Sequence, residues 1–189
     1  HYNLCGYDMV KKNTEIKLDI GCGKNKKEGF IGVDQYKMPG VDKVMDLRKK
    51  WPYKNDSVSE VHCSHFIEHL TANERVHFLN ELYRVLKKGA KVTLIAPHWA
   101  SNRAYGDPTH QWPPISEMFF YYLSKEWRKT QAPHTDKEFN KDGYNCDFEA
   151  TWGYSMHQSL ISRNQEYQQN ALQFYKEAAQ DTIATLTKK

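Results

Sequence analysis

The chain has 189 residues, with 27 Lys and Arg against 23 Asp and Glu, and a formal net charge of +4. This length fits one domain that folds without disulfides or metal, and an aromatic content of 13% argues against disorder. A membrane-spanning helix is excluded because there is no run of about 18 apolar residues. Basic residues lie in short, scattered groups separated by acidic residues, so there is no strong nucleic-acid signal.

The four cysteines indicate a reduced protein. Cys5, Cys22, Cys63 and Cys146 are far apart, and no pair has the C-x-x-C spacing of a zinc ribbon or a thioredoxin-like site. Widely spaced single cysteines are typical of proteins whose thiols stay reduced, as they do in the cytoplasm, so we expect a cytoplasmic location. Residues 1–10 contain no apolar run like that of a signal peptide.

The first half of the chain alternates between strands and a helix. Apolar patterns predict strands at 16–20, 30–33, 41–47, 58–63 and 91–96. Between the last two strands, Thr71 and Glu74 form the capping box of a helix. Apolar residues then recur at helical spacing up to Gly89, which predicts the end of that helix. A strand, a helix and a strand in this order indicate a parallel sheet.

The second half is more irregular. Three prolines interrupt residues 108–114, and Ser116 predicts the cap of a helix rich in aromatic residues. Those aromatic side chains fit either core packing or a lid over a substrate. Residues 130–145 are polar and predict a loop, whereas the alternation at 148–156 predicts a strand with one buried face. A final helix is predicted from about Asn164 to Leu186.

The first predicted strand ends in a glycine turn, Gly21-Cys22-Gly23. Glycine lets a ligand approach the backbone closely because no Cβ intervenes. Lys26 stands where the dinucleotide fingerprint needs its third glycine, which argues against a nicotinamide-dependent oxidoreductase, and no phosphate-binding P-loop is present.

Three carboxylates lie near the ends of the first three strands. Asp19 is beside the glycine turn, Asp34 ends the second strand and Asp46 ends the third. Ligands of open parallel sheets bind beyond the carboxyl ends of the strands. There, Asp34 could accept hydrogen bonds from a ribose diol, Asp46 could meet an adenine amino group, and Asp19 could hold an ammonium group. Carboxylates without a phosphate-binding loop suit a cationic nucleoside such as S-adenosylmethionine.

Taken together, these motifs resemble the class I S-adenosylmethionine-dependent methyltransferases. The matching segments are LDIGCG at 18–23, GVD at 32–34, MDL at 45–47, SEVHCSHFIEHL at 59–70 and ELYRVLKKGAKVTLIAP at 81–97. The resemblance implies an α/β Rossmann-like fold. Its sheet would have seven mostly parallel strands with one antiparallel strand, helices on both faces and an irregular cap after strand 5.

The same resemblance implies one domain over residues 1–189. Its cofactor-binding half would be 16–97, a substrate-side insertion 98–147, and the final strand and C-terminal helix 148–189. The connection 24–29 is shorter than the family's usual helix there, which predicts a more open pocket. The implied cofactor is S-adenosylmethionine, and the implied contacts are Asp19, Gly21, Cys22, Gly23, Asp34, Gln35, Asp46, Leu47, Ser64 and His65.

Histidines supply the candidate catalytic residues. His65 directly follows the fourth strand, and an imidazole titrates near neutral pH, so it is a candidate base. The segment 105–110 resembles an Asp-Pro-Thr-His loop found after the fifth strand in a subset of the family, which makes Asp107 and His110 further candidates. The same residues also fit a proline turn capped by Asp107. His69 matches a structural pattern of the family, and no metal site is predicted.

The sequence therefore predicts a methyltransferase acting on a nitrogen or oxygen nucleophile. The acceptor, a small molecule or a macromolecule, is left open. The alternative is a non-catalytic S-adenosylmethionine-binding or partner subunit that uses the last helix for contact. That helix could also support a homodimer, since its single apolar stripe fits either role.

Overall fold

The computed structural model describes residues 15–189, so Cys5 and segment 1–10 lie outside the described part of the chain. One seven-stranded sheet has the order β3-β2-β1-β4-β5-β7-β6. The strands are β1 (Ile16–Ile20), β2 (Ile31–Asp34), β3 (Lys43–Val44), β4 (Val58–Ser64), β5 (Leu86–Pro97), β6 (Phe148–Met156) and β7 (Ala179–Lys188). The first five strands pair in parallel, and β7 runs antiparallel to both β5 and β6. This confirms the predicted Rossmann-like class.

Six helices accompany the sheet in the described residues. They are α1 (Ala72–Val85), α2 (Arg103–Gly106), α3 (Glu117–Tyr121), α4 (Lys125–Gln131), α5 (Gln158–Ile161) and α6 (Gln165–Phe174). The predicted capping box is present at the start of α1: the Thr71 side chain accepts from the Glu74 amide, and Glu74 accepts from the Thr71 amide. Residues 21–30 form turns with no helix, which confirms the short connection predicted between the first two strands.

The hydrophobic core lies around the central strands. Leu18, Ile20, Val61, Leu82 and Val92 are fully buried, and the apolar faces of β1, β4, α1 and β5 all contribute to the same cluster. Cys22, Cys63 and Cys146 are buried free thiols. Within residues 15–189, no helix is long and apolar enough to cross a membrane.

Several predicted boundaries are wrong. β3 covers only Lys43–Val44 of the predicted 41–47, so Asp46 follows the strand and does not end it, and β5 begins at Leu86 and not at residue 91. The helix predicted from Asn164 to Leu186 ends at Phe174, and residues 179–188 form β7 instead. The residues of this strand alternate in burial as a strand requires, although the same apolar residues also fit a helical stripe. The final unit of the chain is thus a strand rather than a C-terminal helix. Gly89 does have a positive φ of 75°, but α1 ends four residues earlier and Gly89 lies within β5.

Candidate functional site

The glycine turn after β1 has the left-handed backbone that glycine favours. Gly21 has a φ of 65° and Gly23 one of 50°. A Cβ on residue 23 would meet no atom within 4 Å, whereas one on residue 21 would lie 2.8 Å from Cδ2 of Phe66. Gly23 therefore leaves its surface open to a ligand, and Gly21 makes room for the Phe66 ring. Cys22, between them, is buried with its thiol near the Gly40 carbonyl.

Two of the three predicted carboxylates organise this turn. The Oδ2 atom of Asp34 accepts from the Gly23 amide at 3.1 Å, and its Oδ1 atom accepts from the Tyr36 amide at 3.0 Å. Asp19 is buried, and its carboxylate accepts from the Lys27 amide at 2.6 Å. Asp34 therefore bridges the ends of β1 and β2, while Asp19 fixes the short connection between them.

A small cavity of about 90 Å³ lies beyond β3. Gln35, Met45, Asp46, Leu47, Arg48, Phe66, His69, Leu70 and Glu74 line it. Three of the predicted cofactor residues, Gln35, Asp46 and Leu47, thus meet at one place. Asp46 forms an ion pair with Arg48, whose guanidinium donates to both of its oxygens at 2.9 and 3.2 Å. These hydrogen bonds lower the pKa of the Asp46 carboxyl.

His65 follows β4 with a φ of 53°, a conformation that non-glycine residues adopt rarely and that clusters at functional sites. Its Nε2 atom lies 3.1 Å from Oδ1 of Asp181, and its Nδ1 atom lies 2.9 Å from Oγ of Ser64. The second carboxylate oxygen of Asp181 accepts from Arg103 at 2.8 Å. Because β7 is antiparallel, Asp181 pairs with Pro97 at the carboxyl end of β5 and so reaches His65.

A large cavity of about 640 Å³ adjoins this pair. Its walls are His65, Glu68, His69, Pro97, Arg103, Gly106, Asp107, Pro108 and His110. The volume lies within the range typical of small-molecule sites. His69 lines both the large and the small cavity, so the two are neighbours. All three predicted catalytic residues, His65, Asp107 and His110, line the large cavity.

The loop that carries His110 is pinned to the segment after β4. The Gln111 amide donates to the Glu68 carbonyl at 2.8 Å. Asp107 accepts from both the amide and the hydroxyl of Thr109, which lowers the pKa of its carboxyl. The rings of His69 and His110 meet edge to face with centroids 4.7 Å apart. Asp107 is therefore the cap of a proline turn and also lies 3.8 Å from His110.

A second histidine network lies near the large cavity without lining it. His98 is buried, and its Nε2 atom lies 3.1 Å from Glu117, which also accepts from Trp99 and Tyr154. Although burial opposes ionisation, these hydrogen bonds lower the pKa of Glu117 to about 2. Burial and the neighbouring Glu117 charge raise the pKa of Tyr154 to about 12. This network ties α3 to the ends of β5 and β6.

Sequence reasoning missed Asp181, Arg103 and Glu68. The sequence predicts a helix for the segment that contains Asp181, so it does not indicate that Asp181 lies beside β5. Glu68 and His69 were visible in the IEHL segment, yet only the tertiary contact with His110 shows that they face a cavity. Arg103 carries no local signal in its surroundings.

The chain is similar to known methyltransferases in part of its sequence and in its fold. A family described as "Methyltransferase domain" matches residues 27–94. A SAM-dependent methyltransferase structure from Archaeoglobus fulgidus is 20% identical, with a TM-score of 0.63, and covers 94% of this chain and 87% of that one. A second, from Methanosarcina mazei, is 15% identical, with a TM-score of 0.53, and covers 94% of this chain and 93% of that one. These likenesses show a shared fold. No curated protein matches.

Proposed function

We propose that the chain is a class I S-adenosylmethionine-dependent methyltransferase that moves a methyl group from this cofactor to a nitrogen or oxygen nucleophile. The match of a methyltransferase family to residues 27–94 and the fold shared with a SAM-dependent methyltransferase support the proposal. The observation that carries the proposal is the contact between the two cavities at His69. The small cavity holds predicted cofactor residues, and the large cavity holds an imidazole–carboxylate pair. The proposed donor and acceptor sites are therefore neighbours.

The residues of the chain fit S-adenosylmethionine. Gly23 presents an open backbone surface where a side chain would otherwise stand. Each Asp34 oxygen accepts one amide in the structure and retains a further lone pair for a ribose hydroxyl. Met45 and Leu47 offer apolar walls to an adenine ring, with Asp46 beside them. Asp19 contributes indirectly, by holding the connection at Lys27 that frames this side of the site.

His65 is placed to accept a proton from the acceptor. Its Nε2 atom faces a carboxylate that is also paired with Arg103, and a carboxylate only accepts, so Nε2 carries the hydrogen. The lone pair is then on Nδ1, where the Ser64 hydroxyl donates to it. When the methyl acceptor is hydrogen-bonded to Ser64, its proton can pass through the Ser64 hydroxyl to Nδ1 of His65. Asp181 acts as a positioning residue that fixes the tautomer and the ring.

When bound, S-adenosylmethionine would supply a methyl group on a positively charged sulfur, with S-adenosylhomocysteine as the leaving group. The protein's main contribution is alignment of donor and acceptor, which can lower a barrier by about 7–11 kcal/mol. Where the nucleophile must lose a proton, proton removal by His65 raises the reaction rate by roughly 10²–10⁴-fold.

His110 and Asp107 belong to the same proposed acceptor site. His110 is mostly buried and lies at the wall of the large cavity, with Asp107 more exposed beside it. They shape the cavity wall and do not take the proton of the methyl acceptor. That role falls to His65, because its imidazole is hydrogen-bonded to a carboxylate, that of Asp181.

The test has two stages. Calorimetric titration with S-adenosylhomocysteine should show binding, and its absence at millimolar ligand would sink the proposal. Methyl transfer from labelled S-adenosylmethionine is then measured over a panel of amines, hydroxyls and carboxylates. With any acceptor found, Asp181→Asn should lower kcat while leaving S-adenosylhomocysteine affinity unchanged. Asp142→Asn, at an exposed loop position, is the matched control. Binding without turnover over the whole panel would instead favour a non-catalytic subunit.

A further inference from the structure

Three side chains of the large cavity form a group with the composition of a metal site. One ligand atom each from Glu68, His69 and His110 lies within 4.8 Å of the other two. Two imidazoles and one carboxylate form a ligand set used by catalytic zinc and non-haem iron sites. All three residues line the same cavity.

The Glu68 carboxylate is the most unusual member of this group. It is 4% exposed, and among the described residues neither of its oxygens has a hydrogen-bond partner. The nearby Arg75 does not supply one, because its guanidinium donates to the carbonyls of Ile67, Pro113 and Gln111. Burial of a carboxyl without a hydrogen-bond partner costs free energy whether the group is charged or neutral. A bound cation would offset this cost by pairing with the Glu68 carboxylate.

Hydrogen bonds fix the protonation of both imidazoles. The Nδ1 atom of His110 lies 3.2 Å from the Ala104 carbonyl, which can only accept, so Nδ1 carries the hydrogen. The Nδ1 atom of His69 lies 3.0 Å from the Thr109 hydroxyl, whose own proton goes to Asp107 at 2.7 Å. His69 must therefore also donate from Nδ1. In the neutral form, both rings therefore carry the lone pair on Nε2, the arrangement that second-shell partners impose on metal-binding histidines. The Nε2 atom of His110 also lies 3.8 Å from Oδ2 of Asp107.

We propose that Glu68, His69 and His110 bind a divalent first-row transition metal, such as Zn²⁺, in the wall of the large cavity. Nitrogen ligands favour such ions over Mg²⁺, which prefers oxygen. Tetrahedral ligands at about 2.0–2.2 Å from one ion lie about 3.3–3.6 Å apart. The three ligand atoms, which lie within 4.8 Å of one another, would therefore close by up to about 1.5 Å. The Gln111–Glu68 backbone bond already holds the two segments together.

Three protein ligands leave at least one coordination position open, as in catalytic rather than structural zinc sites. The three residues line the same cavity as His65 and Arg103, so a ligand in that cavity would have access to the open position. If the proposed methyl transfer holds, on which this step alone rests, the acceptor class is a molecule whose oxygen or nitrogen lone pair binds the metal. Metal binding itself does not depend on methyl transfer.

The experiment measures metal binding by the full chain without any acceptor. Protein freed of metal with a chelator is titrated with Zn²⁺ by calorimetry and with Co²⁺ by visible absorption. We expect one equivalent to bind, with Co²⁺ bands typical of mixed nitrogen and oxygen ligands and much weaker binding of Mg²⁺. Glu68→Gln and His110→Gln should each weaken Zn²⁺ binding by about 100-fold or more, since even second-shell changes cost 10–100-fold.

His134→Gln is the matched control because His134 is exposed and outside the group. Thr109→Val, which removes the partner of His69 Nδ1, should weaken binding by about 10–100-fold. Thermal unfolding of each variant without ligand shows which ones are folded. The proposal is overturned if the wild-type chain binds no Zn²⁺ or Co²⁺, or if folded Glu68→Gln and His110→Gln bind as the wild type does. Failure of S-adenosylhomocysteine binding alone would count against the methyltransferase proposal and leave this one standing.

Discussion

Replacement of Asp34 by Asn tests whether the Asp34 carboxylate binds the ribose of the cofactor. The carboxylate joins the glycine turn to the end of β2 through the amides of Gly23 and Tyr36. An Asn side chain keeps one oxygen and places an NH₂ group against one of these two amide donors. The change therefore removes the charged hydrogen bonds that we propose to the ribose diol and also loosens the turn beneath it.

The magnitude follows from those bonds. A hydrogen bond to a charged group contributes about 1.5–3 kcal/mol, and each 1.4 kcal/mol is tenfold in affinity. Asp34→Asn should therefore weaken S-adenosylhomocysteine binding by roughly 10- to 150-fold. Calorimetric titration measures this loss directly, and thermal unfolding in the absence of ligand records how much of the change is structural.

Asp42→Asn is the control that separates the two effects. The Asp42 carboxylate accepts from the Gly32 amide and from Lys26, each at 2.8 Å, but lines neither cavity. It should lower stability without changing S-adenosylhomocysteine affinity. An unchanged affinity in Asp34→Asn, or an equal loss in both variants, would refute the ribose assignment.

Three further predictions concern stability. Glu117 has its pKa lowered from 4.5 to about 2, so the stability it contributes, about 3 kcal/mol, is present above pH 4.5 and disappears as the pH falls towards 2. Denaturant unfolding at several pH values should show a shallower acid loss in Glu117→Gln than in the wild type, and parallel curves would contradict this. Arg128→Met leaves the buried Asp136 carboxylate without its ion-pair partner, so urea unfolding should show a loss of about 3–5 kcal/mol, and a loss below 1 kcal/mol would be too small for this account. Thr71→Ala removes the capping-box side chain of α1 and should cost about 1 kcal/mol in the same assay, whereas an unaltered midpoint would show that the cap is unimportant.

Local patterns were sufficient to predict the cofactor half of the sheet. β1, β2, β4 and β5 each combine an apolar run with a turn residue or a capped helix, and the parallel order follows from the βαβ unit. The Asp34 and Asp46 positions follow from the same rule about strand ends. These features depend on neighbours within a few residues, which a single sequence displays.

The acceptor side depends on contacts between distant residues. Asp181 meets His65 across 116 positions, and His69 meets the 107–110 loop across about 40. The apolar residues of 179–186 fit either a helix or a strand, and only pairing with β5 and β6 decides between them. For this reason the sequence indicates which histidines are candidates but not which carboxylates they face.

The ring of Phe66 packs over Gly21, against Phe78, and also lines the small cavity. A Cβ at position 21 would lie 2.8 Å from this ring, so glycine there lets the turn after β1 and the segment after β4 stay in contact. The shape of the small cavity therefore depends on residue 21, although residue 21 does not line it.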